Sequence, residues 1–445
     1  MIAAVPIVSY VCIEVPADQF HDCIARHVEW LHKKAGMLSK ARLVKKGADF
    51  GYAHALFKSK YFKGMSVDGG KMELHEKYLK GRPLQPGYTT VDRWIMGRFG
   101  KSLVWLTTLL PSTAMLLHAT QDLVPGAQAF LESSVNKFGA DGYRLEHMSF
   151  DIAGMYTVLT HKDIIAAVIW MLDVVAATHG AHGHVFHMPH KGRANPTWGK
   201  YNGEADMLEL TFVEVMILTR ISLATSFCWF GDGCLLQQVL GTPMGAMPSP
   251  GFAKCITAKS SYEWNVSMHA DRRFLLHGTC FIDDLSIIIA MSVDADGGMR
   301  DAVAKMLHAY QHDVFPAGCV LELDEAGTYL ETYMSVIDGD INIIHNSKNV
   351  ACDVRRGKRA VMRLHHYHSH IPRSLKLGIV VGHICRILSN CIRPELVVEP
   401  LFDMMAEYEY LSYPVVVLLD ACERVLSKQP HPGLKQVVRF VRSCV

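Results

Sequence analysis

The chain has 445 residues, of which half are hydrophobic and a fifth are charged. This length allows about two to four domains of roughly 150 residues each, and this composition excludes global disorder. The 45 Lys and Arg residues nearly balance the 43 Asp and Glu residues, so only local charge can indicate a polyanionic partner.

Two segments of the chain are locally basic. Between Lys33 and Arg82, thirteen Lys and Arg residues occur with four Asp and Glu residues, and between Lys348 and Lys376 the numbers are eight and one. The twelve cysteines form no Cys-x-x-Cys pair, which favours reduced thiols in an intracellular protein over structural zinc. No uncharged apolar stretch of roughly eighteen residues has the flanks of a membrane span, so none is predicted.

The hydrophobic pattern predicts a mixture of strands and helices along the chain. In chain order, the expected elements are a buried strand at 1–12, a strand at 147–151, a helix at 161–175, a helix at 207–230, a tight turn at 231–233, two strands at 278–289 joined at an Asp pair, a helix at 298–311, strands at 320–344 around a turn at 338–340, and helices from Arg373 onward. This order predicts a β-α-β-β-α-β core with a helical tail.

Residues 177–204 are predicted to form a loop insertion. Five histidines lie between Thr178 and His190, but Gly and Pro residues between them give no fixed geometry for metal ligands. A solvated loop is therefore favoured over a metal site in this segment.

Three carboxylates indicate a metal-dependent reaction. Asp283 and Asp284 interrupt an apolar sequence, where an uncompensated carboxylate costs several kcal/mol and a cation would offset that cost. An ordinary hairpin turn is the alternative. Asp151 ends another apolar strand, and if the two strands are neighbours, Asp151 and Asp283 meet at one edge of the sheet and can hold two divalent ions about 3.5–4 Å apart. Such a site suits in-line attack on phosphorus with Mg²⁺, for which Mn²⁺ could substitute.

A loop rich in Gly and Pro lies between these carboxylate motifs, at residues 238–250. Gly241 and Gly245 permit close approach of the backbone to a ligand, and the amide of Gln238 can hydrogen-bond it. A simple turn before a helix is the alternative. The position of the loop between the two carboxylate motifs favours ligand binding.

In this order, the three motifs resemble motifs A, B and C of reverse transcriptases. They are Phe150-Asp151 to Tyr156-Thr157, Gln238-x-x-Gly241-x-x-Met244-Gly245, and Phe281-Ile-Asp-Asp284. The sequence is most similar to the Penelope-like retroelement branch, which is related to telomerase. The likeness extends from about Lys58 to Leu426, and it includes Gly81-Arg-Pro-Leu84, His370 to Lys376, and Tyr413-Pro414. No Gly-Ile-Tyr occurs, so the GIY-YIG endonuclease of many relatives is not expected.

The resemblance implies an α+β, right-hand polymerase fold with fingers, a ferredoxin-like palm and a helical thumb. The implied domains are an N-terminal region with the fingers at 1–140, a palm with motifs A, B and C at 141–348, and a thumb at 349–445. The implied activity is RNA-directed DNA polymerisation, in which dNTPs are added to the 3′-OH of a DNA primer on an RNA template. A nuclear location and no membrane association are expected.

The resemblance also assigns roles to individual residues. Asp151, Asp283 and Asp284 would ligate two Mg²⁺ ions and carry the catalysis. Tyr156 would pack under the sugar and exclude a 2′-hydroxyl, although a core aromatic is the alternative. The remaining contacts to the nucleotide would come from Arg82 at the triphosphate, from Gln238 and Gly241 in the pocket, and from Lys348. The duplex backbone would be gripped by basic thumb residues, namely Arg355, Arg356, Lys358, Arg359, Arg363 and Lys376.

Two other functions stay open. A viral-type RNA-templated RNA polymerase also has a catalytic Asp-Asp and a Gly-rich motif, but Tyr156 argues against it, as does Ile282 where such enzymes have Gly. A domesticated derivative would bind nucleic acid without catalysis, and the presence of all three motif aspartates argues against that reading.

Overall fold

A computed structural model of the chain describes residues 10–13, 20–43, 54–57, 81–84, 90–180, 184–190, 196–199, 206–230, 234–268, 274–294, 297–337, 339–347 and 364–444. The chain divides into two compact units, each assembled from three sequence segments. Unit 1 comprises Met1–Leu116, Ile152–Met268 and Met306–Leu321, and unit 2 comprises Leu117–Asp151, His269–Lys305 and Glu322–Val445.

Helices and strands alternate through the first three quarters of the described chain, and helices fill the last quarter. The helices are α1 (Phe20–Lys34), α2 (Leu38–Ala41), α3 (Arg93–Thr107), α4 (Leu123–Phe138), α5 (Met155–Val158), α6 (His161–His179), α7 (Phe212–Ala224), α8 (Ser249–Met268), α9 (Gly297–Asp313), α10 (Arg373–Ser389), α11 (Val398–Tyr410), α12 (Val415–Leu426) and α13 (Pro432–Cys444). The strands are β1 (Tyr10–Ile13), β2 (His54–Phe57), β3 (Gly81–Leu84), β4 (Tyr143–Ala153), β5 (Val185–Pro189), β6 (Thr197–Trp198), β7 (Met207–Thr211), β8 (Phe227–Phe230), β9 (Cys234–Gln238), β10 (Phe274–Phe281), β11 (Asp284–Ser292), β12 (Val320–Leu323), β13 (Thr328–Tyr329), β14 (Thr332–Ile337) and β15 (Asp340–His345).

The central sheet has four strands in the order β10-β11-β4-β12. Strand β11 is antiparallel to both β10 and β4. In chain order the four strands are β4, β10, β11 and β12. The first and third of them, β4 and β11, are central, and the second and fourth, β10 and β12, are at the edges. With helices between the first and second strands and between the third and fourth, this is the split β-α-β-β-α-β arrangement that the sequence predicts for the palm. The α+β class and the ferredoxin-like strand order expected for the palm are therefore confirmed.

One face of this sheet contributes to the hydrophobic core of unit 2. Leu145 of β4 and Ile288 and Ala290 of β11 alternate with residues of the opposite face, as the two-residue period of a strand requires. They pack in one cluster with α4 and with the small antiparallel sheet β13-β14-β15, which contribute Phe130 and Met334 among other residues. The sheet that carries the candidate-site aspartates is thus packed against the hydrophobic core of unit 2 on this face.

Helices α10 to α13 form a second core in unit 2. Each of these helices places an apolar stripe in one cluster, which includes Ile384, Leu401, Leu418 and Leu434. The helical region predicted from Arg373 onward is confirmed by these four helices. The domain boundaries predicted at residues 140 and 348 remain predictions.

Unit 1 is built around helices α3, α6, α7 and α8, which contact one another. The rings of Phe99 and Phe252 meet edge-on at 5.9 Å between α3 and α8. Gly251 allows this close approach, since a Cβ added there would lie 2.6 Å from the Cβ of Leu103. The unit also contains the sheets β1-β9-β8, β6-β5-β7 and β2-β3.

The structure differs from the sequence prediction in two segments of unit 1. The single helix expected over residues 207–230 is instead the strand β7, the helix α7 and the strand β8. A capping box starts α7, in which the Glu214 amide donates to Thr211 Oγ1 at 3.2 Å and the Thr211 amide donates to Glu214 at 2.8 Å. Within the predicted loop at 177–204, β5 is a largely buried strand between β6 and β7.

None of the helices that the structure describes is both long and apolar enough to cross a membrane.

Candidate active site

Two of the three motif aspartates face each other across neighbouring strands of unit 2. Asp151 near the end of β4 and Asp284 at the start of β11 are directly paired in the strand register. Directly opposite residues point to the same face of a sheet, with about 4.5–5.5 Å between their Cα atoms. Motif A and motif C therefore lie on neighbouring strands, as expected, but the residue opposite Asp151 is Asp284 rather than the expected Asp283. Since like charges in such a pair repel, this position favours a bound cation.

The third aspartate, Asp283, lies in the two-residue turn that joins β10 to β11. Phe281 pairs with Asp284 at the end of the hairpin, so Ile282 and Asp283 form the connection. Ile282 has a φ of 62°, in the left-handed region that two-residue hairpins usually assign to Gly or Asn. A β-branched residue there carries strain of about 1–3 kcal/mol. The sequence thus holds a strained turn at the position that presents Asp283.

A polar ladder runs along the same sheet face, away from the aspartates. Ser149 and Ser286 form the next pair in register on this face, and both are buried. Nε2 of His147 lies 3.1 Å from Ser286 Oγ and 3.2 Å from Ser149 Oγ. Burial lowers the pKa of His147 to about 4, so its imidazole is neutral at pH 7. The alternation of His147, Ser149 and Asp151 along β4 is visible in the sequence, but only the pairing of β4 with β11 brings His147 to Ser286.

Tyr329 lies beneath the same edge of the sheet. It is 1% exposed, and burial raises the pKa of its hydroxyl well above the ordinary value. The negative charge of Asp284 raises this pKa further, so the phenol stays protonated. Because His147 and Tyr329 are both neutral, the aspartates carry the charge at this face of the sheet.

The donor chemistry of this edge suits a hard divalent cation, because carboxylate oxygens are the ligands that Mg²⁺ prefers. Asp151 and Asp284 share one face, and Asp283 is adjacent to Asp284 in the chain. Among the described residues, no three His, Cys, Asp or Glu side chains are already grouped as a complete metal site. The fit of Mg²⁺ to this edge of the sheet therefore rests on the pairing of Asp151 with Asp284, and Mg²⁺ binding remains a prediction.

The Gly-bearing loop lies in unit 1, where it is joined to the turn that follows motif A. The side-chain amide of Gln238 is buried and donates to the carbonyl oxygens of Tyr156, at 3.2 Å, and Leu240, at 2.9 Å. The Thr242 amide donates to the same Tyr156 carbonyl at 2.8 Å. Gln238 thus positions the backbone that carries Tyr156.

Gly241 is required by the close approach of these two backbone segments. Its φ is +81°, and a Cβ there would lie 2.2 Å from the Tyr156 carbonyl oxygen and 2.9 Å from the Cα of Thr157. The Gly241 amide donates to the Leu159 carbonyl at 2.6 Å. The close approach that the sequence predicts at this glycine is therefore present, and its partner is the chain's own backbone.

His161 is a further residue of this arrangement that the sequence did not reveal. Its Nε2 donates to the Gly241 carbonyl at 3.1 Å, and burial lowers its pKa while this hydrogen bond raises it. His161 and Gly241 are 80 residues apart, so no local pattern could have indicated the contact. Hydrogen bonds with Tyr156 and Leu159 thus attach the loop to the turn after motif A, and the bond with His161 attaches it to the start of α6.

Most of the predicted basic contacts lie outside the described residues or side chains. Arg82 belongs to β3, where it pairs with Leu56, and only its backbone is described. The residues outside the described part of the chain are Lys348, Arg355, Arg356, Lys358, Arg359 and Arg363. Their predicted roles remain predictions.

Lys376 is described, and its ammonium group is directed inward. The residue is 5% exposed, and its Nζ donates to the carbonyl oxygens of Tyr367 and of Ser369, the latter at 2.7 Å. It also lies 5.5 Å from the centre of the Tyr367 ring. This side chain stabilises the turn before α10, and its predicted contact with a nucleic-acid backbone is untested.

No family model matches the chain, and no curated protein matches it. Several solved structures are similar. Telomerase from Candida albicans, in complex with a fragment of telomeric RNA, is 12% identical over 94% of this chain and 70% of that chain, with a TM-score of 0.48. Apo telomerase from Candida tropicalis is 11% identical over 83% and 61% of the two chains, with a TM-score of 0.46. The Sicinivirus RNA-dependent RNA polymerase is 11% identical over 96% and 93%, with a TM-score of 0.40.

Proposed function

We propose that this protein is an RNA-directed DNA polymerase, which adds dNTPs to a primer 3′-OH by two-metal-ion nucleotidyl transfer. The observation that carries this proposal is the pairing of Asp151 with Asp284 beside the Asp283 turn, on a sheet with the palm strand order. The order of the motifs along the chain, with the glycine loop between the two carboxylate motifs, adds support. A Penelope-like retroelement origin and a nuclear location belong to the same proposal.

In this proposal, the aspartates of unit 2 hold Mg²⁺ and align the reacting phosphate. Asp151 and Asp284 provide oxygen ligands from neighbouring strands, and Asp283 provides another from the turn. Mg²⁺ held by these three carboxylates would lower the pKa of the primer hydroxyl and would neutralise the leaving pyrophosphate. The buried ladder of Ser149, Ser286 and neutral His147 fixes the strand pair without adding charge.

Unit 1 provides the selection of the nucleotide. Tyr156 packs under the deoxyribose, and its ring leaves no room for a 2′-hydroxyl. Gln238 and Thr242 hold the backbone of this residue directly, and His161 holds the loop through its hydrogen bond to the Gly241 carbonyl. The selection between dNTPs and NTPs therefore depends on the seating of the loop as well as on the tyrosine ring.

The polyanionic substrates are bound by the basic segments. Arg82 contacts the triphosphate and Lys348 assists at the nucleotide, while the run from Arg355 to Arg363 grips the duplex of RNA template and DNA primer. Such phosphate contacts release counterions, so binding of the duplex weakens steeply as salt is added.

Primer extension on an RNA template tests the activity, with dNTPs and NTPs offered in separate reactions with Mg²⁺. We expect extension with dNTPs alone. Tyr156→Ala is expected to raise NTP incorporation relative to dNTP incorporation about 10–200-fold, whereas Tyr156→Phe keeps the ring and should leave the ratio unchanged. Extension of the wild type by NTPs would place the protein among RNA polymerases. Salt-sensitive RNA binding without any extension would favour the inactive derivative.

A metal titration supplies a readout that is independent of activity. Because Mg²⁺ binds the folded state, saturating Mg²⁺ should raise the unfolding temperature of the wild type, and Asp284→Asn should remove that shift. An equal shift in the wild type and the variant would contradict the proposed ligands.

A further inference from the structure

Helix α11 carries two apolar stripes, of which one is buried throughout in the helical core of unit 2 and the other lies at the edge of that core. Leu401, Met404 and Tyr408 are buried in the helical core. A second stripe, formed by Val398, Phe402 and Met405, has the i, i+4, i+7 spacing of another helix face. Met405 belongs to the helical core, whereas Val398 and Phe402 are only partly buried against it and keep apolar surface exposed.

The second stripe lines an open groove between α11, α12 and α13. The groove has a volume of about 670 Å³, and Val415 and Leu418 of α12 and Val441 of α13 complete its apolar floor. Beside it, Phe440 is 57% exposed and meets Phe402 edge-on, with 5.4 Å between ring centroids. The apolar floor and this exposed ring adjoin each other through Phe402.

Carboxylates stand at both ends of the groove. Glu395 and Glu399 lie at one end and Glu409 at the other, and none of the described residues that line the groove is Lys or Arg. Glu395 has an ion pair with Arg393 at 3.6 Å, whereas neither Glu399 nor Glu409 pairs with Lys or Arg in the part of the chain that the structure describes. From Glu399 to Glu409, α11 rises about 15 Å, which equals roughly ten residues of a facing helix.

We propose that this groove is the docking site for a basic amphipathic helix of a partner protein. The apolar face of that helix packs on Phe402 and its neighbours, and its Lys or Arg residues at both ends pair with Glu399 and Glu409. This is the helix-in-groove mode of recognition, in which charge complementarity fixes the orientation. A nucleic-acid backbone is disfavoured here, because the carboxylates would repel its phosphates.

A synthetic peptide pair tests this proposal with the full chain. The probe is a fluorescent helical peptide of roughly fourteen residues, with Leu at i, i+3, i+4 and i+7 positions and Lys elsewhere. The control peptides are a scrambled sequence of the same composition and a version with Glu in place of Lys. Fluorescence anisotropy should show that the amphipathic Lys peptide binds at least about tenfold more tightly than either control.

Protein variants locate the binding. The double substitution Glu399→Lys with Glu409→Lys should weaken binding about tenfold or more, because both charge pairs become repulsive. The matched control, Glu132→Lys with Glu325→Lys, changes two exposed carboxylates of the same unit by the same charge and should leave binding within about twofold. Circular dichroism checks that both variants keep the wild-type helix content.

Three results would overturn the proposal. One is equal binding of the scrambled and amphipathic peptides, and another is equal weakening by the two double variants, since both indicate only nonspecific charge attraction. The third is self-association in sedimentation velocity that the Glu399→Lys, Glu409→Lys variant abolishes, because the groove would then belong to a second copy of this chain.

Discussion

The substitution Gly241→Ala tests how the glycine loop is seated on the motif A turn. The new Cβ would lie 2.2 Å from the Tyr156 carbonyl oxygen, whereas real Cβ contacts essentially never fall below 3.0 Å. The two backbone segments must therefore separate by about 0.8 Å, and three hydrogen bonds span that contact. At about 1 kcal/mol for each hydrogen bond, with about 1–2 kcal/mol for a left-handed alanine, the free energy of unfolding should fall by about 4–5 kcal/mol.

The variant Gly36→Ala is a matched control in the same unit. Gly36 has a φ of +70°, but a Cβ there would meet no atom within 4 Å. It should therefore cost only the left-handed strain, about 1–2 kcal/mol. Chemical denaturation of both variants gives the difference, which isolates the contact between Gly241 and Tyr156.

Activity provides the second readout of the same perturbation. A displacement near 1 Å of positioning groups can cost about 100-fold in rate, so Gly241→Ala should lower the rate of dNTP addition to that extent under conditions where it remains folded. Gly36→Ala should retain the wild-type rate. If both variants lose the same stability and the same activity, the loop is not seated on the Tyr156 carbonyl, and the reasoning is refuted.

Three further predictions concern buried polar groups. The free energy of unfolding should fall as the pH is lowered from about 6.5 to about 4. Each histidine that is protonated only in the unfolded chain contributes roughly 1.4 kcal/mol per pH unit to this fall, and denaturation at several pH values measures the slope. The histidines whose pKa burial lowers to about 4 are His147, His277, His345 and His383. Lys376→Met should cost about 2–4 kcal/mol of stability, since it removes the donor to two carbonyls, and should leave the salt dependence of RNA binding unchanged if the role is structural. His161→Ala removes the hydrogen bond to Gly241 and should lower dNTP selectivity over NTPs in single-turnover assays, with His161→Gln restoring part of it.

The local features of the site could be predicted from the sequence, because each has a short-range cause. Asp283 and Asp284 interrupt two apolar runs, and this pattern indicates the hairpin between β10 and β11. The helix expected from His161 is present as α6, with Thr160 as its N-cap. The sequence predicts that the strands of Asp151 and Asp283 are neighbours, but the residue that the register places opposite Asp151 is Asp284.

Other features depend on contacts between distant residues or on boundaries hidden in apolar sequence. The apolar run from Met207 to Phe230 concealed two strands, although Thr211 and Glu214 form a capping box that marks the start of α7. The hydrogen bond from His161 to Gly241 joins segments whose distance no periodicity encodes. The inward direction of Lys376 follows from carbonyls that the turn before α10 presents, and charge counting cannot reveal it.

The most direct test of the proposed function is single-nucleotide addition on an RNA template by the wild type, Asp151→Asn and Asp284→Asn. Asp141→Asn is the matched control, because Asp141 is an exposed carboxylate of the same unit. We predict dNTP addition by the wild type and by Asp141→Asn, and a loss of at least about 100-fold in rate for each of the other two variants. Full activity of Asp151→Asn or Asp284→Asn would contradict the assignment of this edge of the sheet as the catalytic site.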